Sequence, residues 1–130
     1  MDIAALRSRF DADPEGFRVT KEDIEEWRSQ TNLPLDDLCD EIAWLLAVGF
    51  NSGQLPFLFC DEVINHMHGI MVQVYLPEVP RLHLGIFWEV YLAFDSGEFH
   101  AHLNDDPVED YTKPFIRKIL AHGRKGDQSR

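Results

Sequence analysis

The sequence predicts a mainly α-helical single domain, a bundle of about five to six helices. Three observations carry that expectation. Apolar residues recur at three- and four-residue steps over most of the chain, the rhythm of a helix with one buried face. Thr, Asn, Asp and Pro stand where helices would begin, often with acidic residues just after them, where negative charge complements the helix dipole. A chain of 130 residues that is 45% hydrophobic and 12% aromatic can bury one core but not easily two. The globular domain is expected to span 1–122, with 123–130 as a flexible basic tail.

Residues 1–12 read as a short first helix, closed by the turn Asp13-Pro14-Glu15-Gly16. Thr20, with Asp23 three residues on, approximates a capping box for a second helix over about 21–30, with Ile24 and Trp27 facing inward. Asn32 is placed to cap a third helix and Pro34 to sit in its first turn. That helix has the clearest pattern in the chain. Leu35, Leu38, Cys39, Ile42, Leu45 and Leu46 mark its buried side, and Asp36, Asp37, Asp40 and Glu41 its opposite face. Gly49 and Asn51-Ser52-Gly53 end it.

Pro56 opens a fourth helix, in which Cys60, Val63, Met67, Ile70, Met71 and Val74 keep the helical rhythm until Leu76-Pro77. Residues 82–103 admit two readings. Leu82, Leu84, Ile86, Trp88, Val90, Leu92 and Phe94 alternate strictly, and Asp95-Ser96-Gly97-Glu98 resembles a hairpin turn. On that alternative the fold is α+β, with an antiparallel hairpin or meander over about 70–103 packed on helices. The helical reading is preferred, because such a strand would be twice the usual length and Phe87, Val90, Tyr91 and Phe94 also recur at helical spacing. Asn104-Asp105-Asp106 then caps a last helix with Pro107 at its start and Phe115, Ile116, Ile119 and Leu120 inside; Pro114 is a candidate break.

Charge narrows the function. The chain carries 23 acidic and 12 basic residues, a net charge of −11. Residues 1–112 hold 22 of the acids and 6 of the bases, whereas 113–130 hold 1 acid and 6 bases. So negative a body repels phosphate backbones and argues against nucleic-acid binding. No apolar run is long enough to cross a bilayer and Met1-Asp2-Ile3 does not open a secretory signal, so a cytoplasmic, non-membrane protein is expected. Cys39 and Cys60, each inside an apolar helical pattern, fit reduced core thiols.

Phosphate-binding Gly loops, HExxH, GxSxG, Asp-rich calcium loops and CxxC pairs are all missing from the sequence, which argues against an enzyme. Three weaker constellations remain. Asp36, Asp37, Asp40 and Glu41, joined by Glu22, Glu25 and Glu26, form an acidic band in a stretch with no base between Arg28 and Arg81. Such a face suits a basic protein partner. Glu62 and His66 are four apart and share a helical face, as metal ligands on a helix must, with Asp61 and His68 close by in sequence. His100 and His102 would point to one side of a strand on the hairpin reading.

The favoured expectation is therefore a non-enzymatic acidic module that binds a basic partner, the general logic of bacterial immunity proteins and of small inhibitors of nucleases and toxins. It implies no cofactor. The alternative is a small metal-binding protein or metal-assisted enzyme using a divalent ion at Asp61, Glu62, His66 and His68. A third reading has the Phe and Trp surplus covering a homodimer interface. Phe59-Cys60-Asp61 and Ala93-Phe94-Asp95-Ser96-Gly97-Glu98 look motif-like without belonging to any of these patterns.

Overall fold

In the structure, a computed structural model, residues 2–78, 85–98 and 106–123 are described. The first helix, α1 (Ile3–Ala12), is capped by Asp2, whose carboxylate accepts hydrogen bonds from the amides of Ala4 and Ala5. In the turn that follows, the Gly16 amide donates to the Asp13 carboxylate. The capping box forms as the sequence implies. Thr20 accepts from the Asp23 amide, Asp23 accepts from the Thr20 amide, and α2 (Lys21–Thr31) buries Ile24 and Trp27.

Asn32 corrects the sequence reading. Instead of capping the third helix it ends the second, in the left-handed conformation at φ 58°. Asn adopts that region more readily than most residues, so a chain that must reverse within three residues uses it as a stop. The next helix, α3 (Leu35–Asn51), starts after Pro34 with no side-chain cap. Its buried face holds Leu35, Leu38, Cys39, Ile42 and Leu46, as the spacing predicts, with Leu45 only partly covered.

The fourth helix, α4, begins at Phe57 and runs through Gly69 without a break. Phe57–Ile70 passes into a π-helical turn, Met71–Tyr75, and a last turn, Leu76–Glu78. A strand over 70–76 is thus excluded. Among the described residues there is no strand at all, and the hairpin alternative falls with it.

Residues 86–96 form α5 (Ile86–Ser96). The alternating residues divide by helical geometry: Ile86, Val90 and Phe94 are buried, while Trp88 and Leu92 are exposed. Alternation here is the overlap of two helical stripes, one inside and one outside. Leu82 and Leu84, and with them His100, His102, Asn104 and Asp105, lie outside the described residues.

The last helix, α6, starts as a π-helical turn (Val108–Thr112) and continues as Lys113–His122, so Pro114 does not break it. Pro114 sits in the first turn of the α-helical part, where its missing N–H costs little. Asp106 accepts from the Glu109 amide and serves as the cap. Residues 124–130, most of the expected tail, are outside the described residues.

Helix α3 lies at the centre and touches α2, α4, α5 and α6. One continuous core gathers Leu38, Ile42, Leu46, Phe59, Ile64, Met67, Phe87, Phe94 and Ile116, all fully buried. Cys39 and Cys60 are in it as free thiols, and burial pushes the Cys39 thiol up to about 12. Two joints fix α5. The buried Thr112 hydroxyl donates to the Ala93 carbonyl at 2.7 Å, and a side chain at Gly97 would meet Thr112 Oγ1 at 2.4 Å and the Phe57 ring at 2.7 Å. Only glycine lets the end of α5 come so close. No helix of the described residues is long and apolar enough to cross a membrane.

Candidate functional site

The acidic band divides on inspection. Asp40 Oδ1 accepts from the Phe87 amide at 2.9 Å, so a carboxylate on α3 caps the start of α5, which has no capping side chain of its own. Glu25 accepts from the Tyr75 hydroxyl and pairs with Arg28 at 3.2 Å; the tyrosine bond above all holds its carboxyl below the usual range. Asp36 accepts from the Asp37 amide. Asp36 and Glu41 are half-buried, whereas Glu22, Glu26 and Asp37 face solvent. The band is thus partly structural, with Glu22, Glu26 and Asp37 as its outward edge.

The proposed metal residues do not converge. Glu62 and His66 do meet, at 3.1 Å, but the other ring nitrogen of His66, Nδ1, accepts from the Val19 amide at 3.2 Å. Burial lowers the imidazole's pKa, so the ring is neutral with its proton on Nε2 facing Glu62. Both nitrogens are engaged. His68 lies beside α5 instead, and Asp61 is buried about two turns earlier on α4. Among the described residues no three His, Cys, Asp or Glu side chains are placed to hold a metal ion.

The structure brings together the two motif-like segments that the sequence left unassigned. On α4, Asp61, Asn65 and His68 follow at steps of four and three and so share a face. On α5, Trp88, Tyr91 and Asp95 do the same, and Glu98 follows just past the helix end. The faces meet. Tyr91 stacks on His68 with centroids 4.0 Å apart and planes 12° apart, and Trp88 packs beside both, 5.4 Å from Tyr91 and 5.6 Å from His68. Trp88 is 44% exposed, and Leu92 and Val72 are exposed as well.

Further along the same two helices two carboxyls come together. Asp61 is 8% exposed and lies within the electrostatic reach of the exposed Glu98, and its Oδ1 has no hydrogen-bond partner among the described residues. Asn65 Nδ2 donates weakly to Glu98, at 3.4 Å. Burial, then the charge and hydrogen bond of Glu98, then Glu62 and Asp95, raise the Asp61 carboxyl to about 7. Near neutral pH the Asp61 carboxyl is therefore only partly ionised. Burial, then Asp95, Glu98 and Asp61, also raise the Tyr91 phenol. Burial lowers the pKa of His68, against the pull of Asp95.

No ion pair among the described residues reaches Asp61, Asp95 or Glu98. Asp95 and Glu98 also stand at the C-terminal end of α5, where the helix dipole is itself negative and the last turn holds no base. A buried carboxyl oxygen without a hydrogen bond is costly and rare. Negative charge, burial and dipole thus accumulate at one spot with nothing in the described chain to neutralise them.

Sequence reasoning named Asp61 and His68 only as metal candidates and missed their partners on α5, because the two halves are far apart in the chain. One signal was present: Asp61, Asn65 and His68 follow at helical steps of four and three. Comparison of the chain with protein-family models, with curated proteins and with solved structures gave no match.

Proposed function

We propose that this domain is a non-enzymatic binding module, of the immunity-protein or inhibitor type, that engages a basic partner protein. The observation that carries the reading is the cluster of Asp61, Asp95 and Glu98, which no cation of the described chain pairs with, beside an exposed aromatic edge. Buried carboxylates without a counter-charge destabilise a fold and are retained where a ligand supplies the charge. Trp and Tyr at a surface are the residues that carry binding energy in protein interfaces. The outward acids Glu22, Glu26 and Asp37, with Asp36, add to a long-range field from a chain of net charge −11, which accelerates encounter with a cationic protein.

Native mass spectrometry of the protein recovered at low salt from its host cells tests this. The expected species is a stoichiometric complex with a basic protein that dissociates as salt is raised. Reversing Glu22, Glu26, Asp36 and Asp37 to Lys should slow association by about tenfold or more at low salt and leave dissociation nearly unchanged. An acidic or neutral partner, or association rates that ignore both salt and charge reversal, would refute the reading.

A further inference from the structure

We propose that the surface between α4 and α5 is a socket for an arginine side chain of that basic partner, the guanidinium lying against the exposed Trp88 ring and the edge of Tyr91, its N–H groups meeting Asp95 and Glu98 and its charge standing over the buried Asp61 carboxyl. The inference rests on the binding-module reading and names the chemistry it uses.

Two independent observations point to a cationic ligand. The first is the Asp61 side chain, more than nine-tenths buried with one oxygen unbonded. The second is the exposed stack beside it, whose ring faces carry the negative pole of an aromatic quadrupole. Arginine fits both where lysine fits one. Its guanidinium is planar, stacks on rings, sheds water more readily than an ammonium and presents a fork of donors to more than one carboxylate. A metal ion fits less well, since among the described residues no three ligands are grouped to hold one.

Entry of the guanidinium favours the ionised form of Asp61. Before binding, the Asp61 carboxyl is partly protonated near neutral pH; afterwards it is a carboxylate beside the cation, and the proton passes to solvent. Among the described residues, the charged groups acting on Asp61 are Glu62 on α4 and Asp95 and Glu98 at the end of α5, all acidic. Tyr91 on α5, whose phenol is raised in part by Asp61, and His68 on α4 complete the surroundings. None of these supplies a competing positive charge at neutral pH. Binding at this site therefore strengthens as pH rises through neutrality, whereas a purely superficial acidic patch would show no such dependence there.

The test uses the full domain with three Gly-spaced peptides that differ only in carrying Arg, Lys or citrulline. Isotope-edited NMR follows the Trp88 indole and Tyr91 ring, and calorimetry in two buffers of different ionisation enthalpy counts protons near neutral pH. The Arg peptide should bind at least about fivefold tighter than the Lys peptide, with citrulline weakest. Shifts should centre on Trp88, Tyr91 and His68, with about half a proton released per site at neutral pH and close to none well above it. Trp88→Ala, which removes a side chain already nearly half exposed and leaves the core filled, should weaken the Arg peptide by about fivefold. Asp61→Asn should abolish proton release. Equal binding of Arg and Lys peptides, shifts centred on Glu22 and Glu26, self-association through the stack, or binding without proton release each overturn the socket while leaving the binding-module reading intact. Failure of the Arg peptide alone to bind overturns the socket; failure of every basic peptide and every basic host protein overturns both.

Discussion

Carboxylates do opposite work at the two acidic regions of this molecule. Around α2 and α3 they sit where helices begin or beside donors: Asp23 completes a capping box and pairs with Arg9, Asp40 closes the start of α5, and Glu25 receives the Tyr75 hydroxyl. Between α4 and α5 they sit at a helix end among other acids. The same residue type stabilises in the first place and strains in the second. The difference teaches that net charge by itself does not locate a binding surface; unsatisfied charge does.

The largest effect that sharpens this comparison is the pH response of Asp61. Its folded pKa of about 7 lies above the ordinary 3.8, so between those values the folded protein holds a proton that the unfolded chain has lost. The stability this contributes is complete below the lower value and is lost as pH rises through about 7, a change on the order of 2–4 kcal/mol. Urea unfolding on either side of neutrality measures it, and Asp61→Asn should remove the slope. Asp23 and Glu25 respond with the opposite sign. Burial would raise the Asp23 pKa, but the hydrogen bond from Arg9 and the caps outweigh it, and Tyr75 lowers that of Glu25. Their contributions are present above the ordinary carboxylate range and disappear as pH falls through the lowered values. A folded state equally stable on both sides of neutrality would break the contrast.

A smaller effect separates members of the acidic band itself. Asp40→Ala should cost about 1–2 kcal/mol in chemical denaturation, because the Phe87 amide loses its acceptor at a helix start. Asp37→Ala, on an exposed side chain, should stay within about 0.5 kcal/mol. Equal losses from the two would show that Asp40 is no more than surface charge.

The fold was largely legible because its helices carry their own instructions. Thr20 and Asp23 announce α2, and the apolar side of α3 appears at the spacing it later buries. Asn32 was misread because its side chain suits a helix start as well as a left-handed stop, and which applies depends on how soon the next helix begins. Over 86–94 the strand-like pattern was resolved only when Trp88 and Leu92 proved to be outside and Val90 and Phe94 inside. The site was not legible. Asp61 and Glu98 have no local relation, and only the packing of α4 on α5, held close by Gly97 against Phe57 and Thr112, makes them neighbours.

His66 gives the molecule a latch whose state depends on acidity. While the ring is neutral, its Nδ1 lone pair holds the Val19 amide and so pins the strap of residues 13–20 across α4. Burial depresses its pKa, and below that value the nitrogen gains a hydrogen, ceases to accept and presents a donor to a donor. The stability it contributes is present above the ordinary histidine value and is lost as pH falls through the lowered one. Amide exchange at Val19 should then quicken in mild acid before exchange in α3 does, and unchanged protection at Val19 would show that the latch does not open. In a cell, the strap of an acidified copy would become the first stretch of backbone a protease could grip, so acidity would set the lifetime of the domain before it set its fold.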